Sequence, residues 1–163
     1  MSLQTLEAIF NRRLVDHESG HAAAALAQGL DVFRVSAPYW RIEDAAACGP
    51  DDTAGYALIQ RPHEDDHDRA RKLAVAITVG ALEDKSRGWP PRWPLSEAPT
   101  NSDERDFCEL VKRLELDEDG HDALIDDAYE LAVSPVYQRA HAAIAHLLEQ
   151  YGGSPARAIR RRT

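Results

Sequence analysis

Ten consecutive residues, Leu73 to Leu82, carry no charge and are apolar on every side of a helical projection, so a helix through them has no face to offer water. Such a helix is buried all round, and the rest of the chain has to be arranged about it as a spine. Pro62, followed by Glu64, Asp65 and Asp66, has the acidic look of a helix start, which predicts a helix from there to about Lys85. At 163 residues, 44% of them hydrophobic, the chain suits one core and one domain, with residues 154–163 as a basic tail.

The residues before the spine read as a helix from Asn11 to Gln28, stopped by Gly29. Two stretches with strand character follow, Val32 to Ile42 and Tyr56 to Gln60, separated by turn residues at Gly49 to Asp52, and they are expected to pair. The proline-rich run from Gly88 to Asn101 is incompatible with a helix and predicts a loop, in which Trp89 and Trp93 either staple the loop or lie over a site. Three more helices are expected near Ser102 to Glu115, Glu118 to Ala132 and Pro135 to Tyr151, the last closed by Gly152 and Gly153. The expected fold is therefore α+β and mostly helical, a bundle around the first helix with a two- or three-stranded sheet.

That first helix contains His17-Glu18-Ser19-Gly20-His21. Residues four apart on a helix lie one above the other, so the two imidazoles can share one ion and the intervening glutamate can act as base toward water. The same pattern recurs at His63-Glu64-Asp65-Asp66-His67, so spacing does not decide between them. Context does: the first copy runs into Ala22 to Ala25, small side chains that let neighbours close over a site, whereas the second is crowded with acids, as a solvated first turn is. A catalytic zinc takes three protein ligands, and Asp103, opening the helix after the proline-rich loop, is the candidate third. Its other reading is a capping box with Thr100. Glu83, Asp84, Glu104 and Asp106 are rivals, while His121, His141 and His146 lack ligand spacing and read as structural or surface residues.

The net charge of −9 speaks against nucleic acid as a partner, and the cluster Arg157, Arg160, Arg161 and Arg162 reads as a solvated end. Cys48 and Cys108 have no redox or thiolate-metal spacing. With no apolar run of membrane-spanning length and no secretory pattern, a cytoplasmic location without membrane contact is the expectation.

The segment His17-Glu-Ser-Gly-His-Ala22 resembles the His-Glu-x-Gly-His-Ala motif of the FtsH-type peptidase domain, the zinc protease half of the membrane AAA proteases. Val79-Gly-Ala-Leu-Glu-Asp84 is similar to that family's Ala-Gly-x-Ala-Ala-Glu helix, with Asp84 at the position of its Glu. Ser102-Asp103 matches its ligand-bearing Asn-Asp pair, and Ile144 to Glu149 with Ser154 to Ile159 is similar to its closing helix and hook. The resemblance implies Zn2+ held by His17, His21 and Asp103, with Glu18 as general base in peptide hydrolysis. It also implies that substrate is added as a strand, for which Val32 to Val35 is the expected edge. No phosphate-binding loop is present, so the implied substrates are peptides or flexible segments, unless a separate unfoldase delivers them; such an unfoldase or a homo-oligomer is the expected partner. The other reading is a catalytically silent metal-binding or regulatory module with the same fold.

Overall fold

The computed structural model describes residues 1–46, 54–83 and 102–155. Its elements run α1 (Leu3–Ala27), β1 (Val32–Ser36), α2 (Ile42–Ala46), β2 (Tyr56–Ile59), α3 (His67–Leu82), α4 (Ser102–Arg113), α5 (Glu118–Ala132), α6 (Pro135–Tyr151) and β3 (Gly153–Pro155). The expected α+β, mostly helical architecture is the one observed. The proline-rich run, Trp89, Trp93, Asp84, Thr100, Cys48, the turn at Gly49 to Asp52 and the arginine tail lie outside the described residues.

Helix α3 is the spine the sequence requires: Leu73 through Ala81 are buried without a break. It begins later than the acidic run suggested, because Asp66 caps it through a bond from the Arg69 amide. Helix α1 packs against both α3 and α6, and its Ala22, Ala23, Ala24 and Ala25 are all fully buried. Helix α5 covers α3, and α4 lies against α3 through Phe107, Leu110 and Val111.

Other boundaries also differ from the sequence reading, each for a local reason. Helix α1 starts at Leu3 rather than Asn11, since the Ser2 side chain accepts from the Thr5 amide and caps a first turn whose residues are exposed and therefore show no buried stripe. It stops as expected, with Gly29 at φ +78°. The first strand ends at Ser36 and does not reach Ile42. Asn11 turns the chain there, its amide donating to the Trp40 carbonyl and its oxygen accepting from the Trp40 N–H, at 2.8 and 2.7 Å. Glu7 then accepts from the Ile42 amide and so starts α2. Helix α4 ends at Arg113 because Glu115 takes a left-handed conformation, φ +52°.

Strands β1 and β2 pair antiparallel as expected, with Val35 opposite Ala57 and Ser36 opposite Tyr56. The third strand is supplied after α6: Gly152, at φ +65°, caps the helix and turns the chain so that Gly153–Pro155 pairs with Arg34–Ser36. The order is β2-β1-β3. Strand β1 is therefore central, and of the expected Val32 to Val35 edge Arg34 and Val35 are paired on both sides and not open to substrate, while Val32 pairs with Ile59 of β2. No helix among the described residues is long and apolar enough to cross a membrane.

Candidate metal centre

Helix α1 brings His17 and His21 onto one face, their ring centroids 4.5 Å apart and nearly perpendicular. Asp103, in the first turn of α4, reaches both: its Oδ2 lies 3.0 Å from His17 Nε2 and 3.1 Å from His21 Nε2, and the two Nε2 atoms are 3.0 Å apart. Three ligand atoms thus form a near-equilateral triangle drawn from sequence positions 17, 21 and 103. Among the described residues this is the one group of histidine, cysteine or acidic side chains able to share an ion.

The triangle fits a divalent metal. Bonds of about 2.0–2.1 Å in tetrahedral geometry hold ligand atoms roughly 3.3 Å apart, so the observed spacing differs by about 0.3 Å. His21 Nδ1 lies 3.1 Å from the carbonyl of Ala76, an acceptor, so Nδ1 donates there and Nε2 faces the triangle. His17 Nδ1 is buried and has no hydrogen-bond partner among the described residues.

Glycines make room for this arrangement. A Cβ at Gly20 would stand 2.9 Å from the Gly80 Cα, so α1 and α3 cross where both lack side chains, and the His21 ring occupies the space over Gly80. At Gly55, just before β2, a Cβ would come within 3.1 Å of Glu18 Cγ and 2.7 Å of the Ser36 carbonyl. The start of β2 therefore lies directly against the catalytic candidate.

Electrostatics follow from burial and charge. Burial opposes a proton on His21, but the carboxylates of Asp103 and Glu18 and the Ala76 carbonyl outweigh it and raise the pKa to about 9. Burial pushes the Asp103 carboxyl up, yet the two imidazoles dominate and hold it well below the usual carboxylate range. Glu18, 6% exposed, has its carboxyl raised, chiefly by burial and against the pull of His17 and His21.

Among the described residues the competing assignments are engaged elsewhere or stand apart from the triangle; Asp84 lies outside them. Residues 63–66 are not helical, so His63 and His67 do not stack: the Asp66 amide bonds the His63 carbonyl, Asp66 caps α3, and only His67 lies within the helix. Glu83 accepts from the Tyr137 hydroxyl at 2.6 Å, and Asp106 pairs with Arg61 at 2.9 Å. Glu104 stands outside the triangle. His121 is buried edge-on to Phe107, His141 bonds the Asp16 carbonyl, and His146 is exposed. Cys108 is a free thiol. The packing roles of Gly55 and Gly80, and the grouping of Glu83 with Tyr137 and His141, were not read from the sequence; a glycine amid strand or helix residues is the signal for the first, and the second has no motif.

Comparison with protein-family models, with curated proteins and with solved structures found no match.

Proposed function

We propose that this chain is a zinc-dependent metallopeptidase of the FtsH peptidase type, acting on peptides or flexible protein segments. The observation that carries the reading is the meeting of Asp103 Oδ2 with both Nε2 atoms within 3.1 Å, from a helix more than eighty residues along the chain. Structural zinc sites are closed by four protein ligands, whereas three ligands leave a position for water or substrate.

Zinc in that triangle supplies a Lewis acid that polarises a carbonyl and lowers the pKa of water. The protein's own part rests with a few residues. His17, His21 and Asp103 hold the ion, and the Ala76 carbonyl orients His21. Glu18 takes a proton from the attacking water and passes it to the departing amine as the C–N bond breaks; burial moves its carboxyl toward the range in which it can do both.

Strand β2 gives the substrate a place. Its inner side pairs with β1, and among the described residues no strand pairs with its outer side. Its first residues lie beside Gly55 and hence Glu18, so an extended peptide added along β2 would run past the base. This replaces the Val32 to Val35 edge. The second reading, a metal-holding module that cleaves nothing, draws on the lack of a phosphate-binding loop in these 163 residues. Turnover of a peptide library by the zinc-loaded chain, set beside Glu18→Gln, tests both: hydrolysis lost in the variant supports the peptidase, and full zinc occupancy with no turnover in either favours the silent module.

A further inference from the structure

Behind the metal ligands, a row of polar contacts runs between α1 and α6, beside the buried apolar residues of α6. The contacts step down α6 as they step up α1: Arg12 pairs with Glu149, the Asp16 carbonyl accepts from His141 Nε2 at 3.1 Å, and Gly20 faces Glu83, which accepts from the Tyr137 hydroxyl at 2.6 Å. Arg12, Asp16 and Gly20 are spaced by four, as are Tyr137 and His141, so one row of each antiparallel helix is engaged. His17 and His21 each follow a member of the α1 row by a single residue.

The group around Gly20 is closely built. Tyr137 is fully buried, and a Cβ at Gly20 would lie 2.9 Å from Glu83 Cγ, so the carboxylate stem rests on the motif's glycine. His141 lies 4.0 Å from the second oxygen of Glu83, and its ring packs on Tyr137 with centroids 5.6 Å apart. Turning α1 about its axis would stretch the bond from His141 to the Asp16 carbonyl and drive Gly20 against the Glu83 stem, which the Tyr137 hydroxyl holds in place.

We propose that Glu83, Tyr137 and His141 are positioning residues that set the rotation of α1, and thereby aim His17 and His21 at Asp103. This rests on the metal reading above, where partners outside the ligand shell commonly tune affinity.

The test uses Co2+ as a probe with the full chain, reading affinity and visible absorption. Glu83→Ala and His141→Ala should each weaken Co2+ about 10–100-fold and alter the absorption bands. His141→Gln, whose amide can still donate to the Asp16 carbonyl, should restore both. Wild-type affinity and bands in the two alanine variants, even with lowered thermal stability, would overturn the proposal. A second readout covers a variant too unstable to load: amide hydrogen exchange across residues 12–21 in metal-free Tyr137→Phe. Faster exchange there, with α5 unchanged, supports the seam, and unaltered exchange overturns it. A wild type that binds no Co2+ removes the metal reading, while the exchange result still decides whether the seam holds the turn.

Discussion

Gly80 lies beneath the imidazole of His21 so closely that a Cβ there would stand 2.1 Å from Nδ1 and 2.3 Å from Cε1. Neither atom can yield cheaply, because Nδ1 is held by the Ala76 carbonyl and the ring is buried. Gly80→Ala should therefore displace His21 and abolish metal binding at one equivalent, with destabilisation of about 1–3 kcal/mol from overpacking. Metal titration with thermal unfolding checks this. Unchanged affinity in the variant would mean that the ring does not occupy that space.

Glu18→Gln keeps the volume and removes the base. Zinc content should stay at wild-type level while peptide hydrolysis falls by about 10²–10⁴-fold. Single-turnover assays on zinc-loaded protein read the loss directly, and retained hydrolysis would take Glu18 out of the mechanism.

Asn11 serves the fold rather than the site. Its side chain satisfies both backbone groups of Trp40, and Asn11→Ala leaves them to find water. We expect a loss of about 1–3 kcal/mol in chemical denaturation, without change in metal affinity. A neutral substitution would show that the segment after β1 is held by other contacts.

The Tyr137 phenol is pushed well above its ordinary pKa, first by burial and then by its bond to the Glu83 carboxylate. The folded value exceeds the unfolded one near 10, so the stabilisation is complete below pH 10 and is lost as pH rises above it. Denaturant midpoints should fall more steeply beyond pH 10 in wild type than in Tyr137→Phe, by up to about 1.4 kcal/mol per pH unit. Parallel curves would contradict the assignment.

Much of this was legible in residue patterns. The buried spine followed from Leu73 to Leu82, and α5 and α6 were bounded by Asp117, Ser134 and Gly152, whose capping chemistry is local. His17, Glu18 and His21 were readable because helical spacing stacks the two imidazoles and the alanines that follow set this copy apart from the one at His63 to His67. Asp103 could be ranked but not separated from Glu83 or Asp106, since only tertiary packing shows that those two are spent on Tyr137 and Arg61. The start of α1 was hidden because Leu3, Leu6 and Ile9 are exposed and leave no buried stripe. Strand β3 was hidden because three residues after a helix carry no periodicity, and their pairing with β1 is a long-range event. That pairing also moved the open edge of the sheet from β1 to β2.

Metal content measured side by side on wild type, Asp103→Ala and His67→Ala, after loading with zinc and exhaustive dialysis, tests the central claim most directly. The account predicts about one zinc per chain in wild type and His67→Ala, and little in Asp103→Ala. Zinc retained by folded Asp103→Ala, or lost in His67→Ala, would contradict the assignment of His17, His21 and Asp103 as the metal centre.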